Sequence, residues 1–387
     1  MTELLYYQDA YLKEFEATVL ECSPTVFRGR EAFDIVLDRT AFFPEQGGQD
    51  ADSGVIRGTD TVNVQYVSIK NDIIHHICDK AVSAGTKIMG TIDWEKRFDR
   101  MQQHSGEHLV SGTVHRFFGA DNVGFHLSER EVTLDFNTTF EEADLDRIED
   151  TVNRAIYENF ATVISFPSAE ELASIDYRSK KELKGQVRIV EYPGYDICAC
   201  CAPHVARTGE IGCIRIAAAE HFKGGTRMWI ECGGRALRSA RALLKDAKSI
   251  SRITSAKLSE IVPAVNKMND ALKDARFELV RLERINLAAM AEAVASESNP
   301  LLVLESADSD NIRLVLNELA EKSQGYCTAL IGNDEKGYRF ITISKKKNCR
   351  ELMDQLKAVF NIKGGGTPEM IQGTINAGSE EIKKNIL

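Results

Sequence analysis

The amino-acid sequence predicts an α+β protein in four parts: a small N-terminal β-barrel over residues 1–92, an α+β domain over 93–245, a long helical linker over 246–297 and a C-terminal α/β domain over 298–387. Three observations predict it. Apolar and polar side chains alternate through the first ninety or so residues, as in half-buried strands. Near Asp93 the period changes to the spacing of a helix. From Leu258 to Ala289 a 3,4 repeat runs, apolar at every position but Asn286, the mark of a long helix with one apolar seam. A chain of 387 residues also exceeds the size at which single cores stop growing.

Taken in order, Ala32 to Leu37, Val62 to Ile69, Ile73 to Ile77 and Lys87 to Ile92 alternate as strands, separated by glycines and aspartates. Asp93 to Phe118 carries Met101, His104, His108 and Val110 to Val114 at helical spacing, and Gly119 stops it. Val132 to Phe136 and Gln186 to Val190 read as strands, and Glu141 to Phe160 as an amphipathic helix. The seam at 258, 261, 265, 268, 272, 275, 279, 282, 286 and 289 fits pairing with a second chain, with Asn286 as a register device, or packing against its own body. Pro263 sits near the start, where a first turn tolerates it or the helix bends. The last part reads strand, helix, strand, strand, helix, over Leu301 to Leu304, Asn311 to Glu321, Tyr326 to Ile331, Arg339 to Ile343 and Cys349 to Val359; a Gly-rich loop, Lys363 to Pro368, follows.

Composition narrows the class. With 43% hydrophobic and 27% charged residues this is an ordinary globular chain. No stretch approaches the ~18 apolar residues of a spanning helix and no secretory leader is visible, so a cytoplasmic address without membrane association is expected. Nine cysteines, an odd number, favour thiol or metal chemistry over a disulfide framework. A net charge of −10 confines any nucleic-acid contact to local patches. The candidates are Arg178, Lys180 and Lys181 with Lys184 and Arg188; Lys223 with Arg227; and Arg235, Arg238, Arg241, Lys245, Lys248 and Arg252. A basic run on a helix is more often only a solvated face.

The chemistry concentrates in two places. His104 and His108, four apart on a helix, put two imidazoles on one face within reach of one ion. Cys200 and His204 repeat that spacing, with Pro203 favouring a loop, and Cys198 and Cys201 stand beside them. A set of three imidazoles and a thiolate suits zinc before iron or copper. The metalloprotease signature is excluded, because there glutamate follows the first histidine directly and here Glu107 precedes the second. Separately, Thr40 to Gln49 runs into Asp52-Ser53-Gly54, a Gly-rich turn after a strand with Gly47 and Gly48 supplying positive φ.

These three motifs, in this order, resemble the editing domain of alanyl-tRNA synthetase and its free-standing AlaX relatives. The family's Thr-x-Phe-Tyr/Phe-Pro-Glu-x-Gly-Gly-Gln with Asp-x-Gly is matched by Thr40 to Gln49, Asp52 and Gly54. Its His-x-x-x-His is matched by His104 and His108. Its Cys-x-x-x-His-Val-x-x-Thr-Gly-Glu-Ile-Gly is matched from Cys200 and His204 through Val205 and Thr208 to Gly212. The resemblance extends to the tail, where Gly364-Gly365-Gly366 is similar to the DHHA1-like domain that long AlaX proteins share with the synthetase. The first motif stands by residue 40, leaving no room before it for an aminoacylation core. Where the synthetases carry Thr in the second motif and Gly-Gly-Thr in the third, this chain has Glu107 and Cys201-Ala202-Pro203. It also carries Asn122 and Phe125 where a synthetase segment has Gln and Ser.

The resemblance implies a zinc-dependent aminoacyl-tRNA deacylase that removes serine or glycine from mischarged tRNA(Ala). His104, His108, Cys200 and His204 would hold Zn2+, Cys200 being preferred over Cys198 and Cys201 because its spacing to His204 is the family's. Glu45 and Gln49 would organise the pocket wall, and Thr40 would hydrogen-bond the hydroxyl of misattached serine. Lys180, Lys181, Lys223, Arg227 and Gly364 to Gly366 are the expected RNA contacts, and a homodimer through the 258–289 helix or the C-terminal domain is the expected assembly. Three protein ligands would leave the metal a position for water, whereas four favour substrate positioning. Two other classes remain open: a zinc hydrolase of a small ester, and a noncatalytic tRNA-binding protein with structural zinc.

Overall fold

The structure is a computed structural model that describes residues 2–179 and 186–386. It is of the mixed α+β class expected, and the chain divides into two compact units, Met1–Lys245 and Asp246–Leu387. None of the described helices is long and apolar enough to cross a membrane.

The first unit opens with six strands: β1 (Glu14–Phe27), β2 (Arg30–Leu37), β3 (Gly54–Arg57), β4 (Thr61–Lys70), β5 (Ile73–Cys78) and β6 (Lys87–Ile92). They pair in the order β1-β2-β5-β4-β3-β6, and β6 returns to β1, with Glu14 opposite Thr91 and Thr18 opposite Lys87. The alternation legible in the sequence turns Ile35, Leu37, Ile56, Val67 and Ile74 inward around Phe42. Each such side chain taken fully out of water contributes about 1.5–3 kcal/mol before conformational entropy is counted.

The helix α1 (Trp94–Phe118) begins at Asp93, whose carboxylate accepts from Lys96 N, and ends at Gly119 in the left-handed region. A buried ion pair ties it to the segment between β2 and β3. Arg97 donates to Asp52, and also to the carbonyls of Ala10 and Ala41, while Asp52 accepts from Phe43 N. Both side chains are fully buried, so removing either would strand a charge in the core. Against α1 pack a four-stranded antiparallel sheet in the order Ile214–Phe222, Gly225–Cys232, Val132–Phe136, Asn122–Leu127, and a three-stranded sheet of Val163–Ser165, Ile189–Tyr192 and Asp196–Ala199. The helix Glu142–Glu158 buries Ile148, Val152, Ala155 and Ile156 in the same core.

In the second unit the seam is one helix, Ile261–Val294, entered through a 3-10 turn, with Pro263 in its first turn. Leu287 and Ala291 pack into the unit's core, while Met268, Leu272, Leu279 and Leu282 are exposed. A five-stranded sheet follows in the order Leu301–Leu304, Cys327–Asn333, Gly337–Ile343, Met370–Ile375, Ile362–Gly366. The glycine run expected as a loop is therefore an edge strand, antiparallel to Met370–Ile375 with Gly364 opposite Gly373. Backbone clearance explains its composition: a Cβ on Gly364 would lie 2.3 Å from Gln372 O, and one on Gly366 2.1 Å from Met370 O.

Candidate metal centre

His104 and His108 project from one face of α1 as their spacing requires, and Cys200 and His204 come from the loop after Asp196–Ala199. The four donor atoms lie within 4.8 Å of one another. Cys200 Sγ is 3.5 Å from His104 Nε2 and 3.3 Å from His204 Nε2. Ligands of one tetrahedral zinc, at its usual bond lengths, stand about 3.5 Å apart, so the two sulfur–nitrogen distances suit a single ion. All three imidazoles are buried.

The outward nitrogens decide which way the inward ones face. His104 Nδ1 lies 2.8 Å from Gln49 Oε1, and His108 Nδ1 lies 2.8 Å from Asp196 Oδ2. His204 Nδ1 meets Ser105 Oγ and Tyr192 OH, each at 3.3 Å. Every Nδ1 thus has an outer partner, which leaves the Nε2 atoms of His104 and His204 beside the Cys200 sulfur. Burial, then the charges of His108, His104 and Arg188, hold the pKa of His204 well below its ordinary value, so it is a neutral ligand near pH 7. At His108 burial acts downward, but the Asp196 hydrogen bond together with Cys198 and Glu107 raises the net value. Asp196 itself is held low: burial opposes ionisation, and the bonds from His108 and Arg178 outweigh it.

Of the three neighbouring cysteines, Cys200 is the one inside the quartet. Cys198 sits with His108 and Asp196, its thiol pushed up to about 11 by burial, and Arg178 already engages both oxygens of that aspartate. Cys201 packs on the side of Tyr6, Phe43 and Gly47. The loop itself is held by Arg188, which donates to the carbonyls of Cys200 and Ala202. The rest of the third motif braces the unit: Thr208 Oγ1 donates to Ala155 O, and Glu210 accepts from Tyr11 OH.

The other expected site residues are distributed unevenly. Gln49 is at the quartet, fully buried, and its Nε2 has no hydrogen-bond partner among the described residues. Glu45 lies instead at Tyr66, whose hydroxyl is pushed up to about 12 by burial and then by that carboxylate. Thr40 is buried against β5, 2.9 Å from His76 Nε2, and accepts from Phe42 N. His76 Nδ1 lies 3.0 Å from Ile35 O and so carries the ring proton, and burial lowers this histidine to about 4. The neutral Nε2 must accept, so the Thr40 proton is used inside the strand core and only an acceptor site is left on its oxygen.

Lys180 and Lys181, with Lys184, lie outside the described residues. Lys223 is exposed in the turn before Gly225–Cys232, whereas Arg227 is paired with Asp135 through two bonds of 2.6 and 2.7 Å. Arg178, expected in a basic surface patch, turns inward to Asp196. Asp196, Tyr192, Ser105 and His76 were not anticipated, and no spacing in the sequence marks them. Glu107 and Asn122 form a buried pair: Glu107 Oε1 accepts from Asn122 Nδ2 and Ser111 Oγ, and its Oε2 is 3.9 Å from His108 Nε2.

Comparison with known proteins places the chain among aminoacyl-tRNA editing and synthetase sequences. Residues 2–96 match the family described as tRNA synthetases class II (A), and residues 187–228 match the threonyl and alanyl tRNA synthetase second additional domain. The alanyl-tRNA editing protein AlaX-L of Pyrococcus horikoshii is 27% identical over 99% of this chain and 96% of its own length. The alanyl-tRNA editing protein Aarsd1 of Danio rerio is 28% identical over 96% of this chain and 93% of its own. An alanine–tRNA ligase of Pyrobaculum neutrophilum is 27% identical over the whole of this chain, which spans 44% of that enzyme. Over nearly all of its length, then, the chain is similar to the AlaX-type alanyl-tRNA editing proteins, with domain signatures shared with the synthetases.

Proposed function

We propose that the chain is a trans-editing deacylase, which hydrolyses the ester of Ser-tRNA(Ala) or Gly-tRNA(Ala) at a zinc ion held by His104, His108, Cys200 and His204. The observation that carries this is the convergence of three imidazoles and one thiol, each imidazole fixed from outside, beside a buried amide donor that lacks a partner among the described residues. Zinc in that place supplies a Lewis acid that polarises or orients the ester. With His104 fixing Gln49 Oε1, the Gln49 Nε2 protons point away from that bond and donate to the carbonyl oxygen as charge develops on it. Thr40 reads serine by accepting from its hydroxyl, a contact that alanine's methyl cannot make. Glu45 acts on the pocket wall through Tyr66. Lys180, Lys181, Lys223 and the Gly364–Gly366 edge meet the RNA backbone, and Arg227, engaged by Asp135, contributes less. The four-part organisation with boundaries at 92, 245 and 297, a cytoplasmic address and a homodimer through the exposed 258–289 seam complete the reading.

Four protein ligands also favour a second reading, a tRNA-binding protein whose zinc is structural. One experiment separates the two: single-turnover hydrolysis of Ser-, Gly- and Ala-tRNA(Ala), with zinc loaded or chelated. Loss of serine or glycine at least tenfold faster than alanine, abolished by chelation, is the expected result. Absence of hydrolysis by zinc-loaded protein would overturn the deacylase reading.

A further inference from the structure

The three imidazoles of the quartet are held from outside by different chemistry. His104 meets a neutral amide and His204 meets two hydroxyls at 3.3 Å, while His108 meets a carboxylate, at 2.8 Å. We infer that Asp196, held by Arg178, is a positioning residue that aims His108 Nε2 at the metal and sets the affinity of the whole site. The inference rests on the quartet reading above.

Two facts support it. The Asp196 side chain is 1% exposed, a place where a carboxylate survives as an anion only if it is paired and hydrogen-bonded. Arg178 meets that requirement with Nε and Nη2 at 2.7 and 2.8 Å from the two carboxylate oxygens, a bidentate geometry that fixes the plane of the carboxylate and hence the lone pair facing His108. Arg178 is itself fixed by its backbone: its N–H donates to Ile197 O at 2.8 Å, and its carbonyl accepts from Ala199 N at 3.0 Å. These bonds flank Cys198 in the strand that runs directly into Cys200. One arginine therefore grips both the aspartate behind His108 and the strand that delivers the sulfur, joining the two halves of the quartet. A carboxylate on Nδ1–H keeps the proton on that nitrogen and increases the basicity of Nε2 towards a cation, and loss of such a partner usually lowers metal affinity about 10- to 100-fold.

The test is a zinc titration against a chromophoric chelator, with thermal midpoints of the metal-free protein measured alongside. D196N is expected to weaken zinc binding 10- to 100-fold and, by leaving the Arg178 charge unmatched, to lower the metal-free midpoint. The double variant D196L/R178M removes both charges in favour of apolar side chains of similar size, a change that buried pairs commonly tolerate. It is expected to regain the midpoint but not the zinc affinity. A double variant that binds zinc as tightly as the unaltered protein would overturn the inference, reducing the pair to a structural one, and so would unchanged affinity in D196N. If the unaltered protein takes up no zinc, the quartet reading itself fails and this inference falls with it.

Discussion

Two glycine stretches, Gly47–Gly48 and Gly364–Gly366, look alike in the sequence and do opposite things. The first is a turn with φ of 65° and 86°, carrying Gln49 to the metal quartet. The second is an extended edge strand in which Gly364 and Gly366 give clearance to the neighbouring backbone. Glycine answers two separate constraints, a dihedral that other residues rarely adopt and a distance that a Cβ would violate, and composition alone does not say which. Their surroundings differ as well. The turn is framed by buried polar contacts, Thr40 with His76 before it and Asp52 with Arg97 after it, whereas the strand lies at the rim of its sheet.

The comparison is broken most directly at Gly48, where both constraints coincide: φ is 86° and a Cβ would stand 2.6 Å from Phe125 O. Gly48→Ala should cost about 3 kcal/mol or more and displace Gln49, so both the denaturation midpoint of the first unit and deacylation should fall. Near-normal hydrolysis by the folded variant would detach Gln49 from the chemistry. Acid is the next largest probe. His76 is lowered to about 4 in the folded protein from 6.5 in the unfolded chain, so the unfolded state binds more protons as pH falls. Its contribution is fully present above about pH 6.5 and is lost progressively towards pH 4, up to about 3 kcal/mol. No histidine occurs after His221, so urea titrations across this range should show the first unit weakening through histidine while the second does not. His76→Gln should lessen the first unit's response, leaving the share that His204 contributes, and an unchanged slope would assign the acid lability elsewhere. The smallest effects belong to the strand: Gly364→Ala should loosen the edge by about 1–2 kcal/mol without altering zinc affinity. Gly365→Ala, with nothing within 4 Å of the added Cβ, should stay within about 0.5 kcal/mol of neutral in the same melt.

Legibility follows the same division. His104, His108, Cys200 and His204 could be read because helical spacing and a short loop fix their neighbours locally. Their outer partners could not be read from spacing: Asp196 reaches His108 across 88 positions, and Gln49, singled out only by the resemblance, reaches His104 across 55. Arg178 reads as a surface cation beside Ser179 and Lys180, and only the fold shows a buried acid 18 positions further on. The strands β2, β4, β5 and β6 were legible from alternation, and α1 from its period and its Gly119 stop. The pairing order of the strands was not, because register depends on which faces meet.

The wide spacing of the ligands sets a schedule for how the protein is made. His104 and Cys200 are 96 positions apart. At a synthesis rate of about 5–20 residues per second the histidine pair leaves the ribosome roughly 5–20 s before the sulfur does. During that interval the six N-terminal strands and α1 are complete in sequence, while the nascent chain offers only two of its four donors. Any ion that the quartet takes up would therefore be captured late in biogenesis, and would seal a unit whose N-terminal half has already had time to fold.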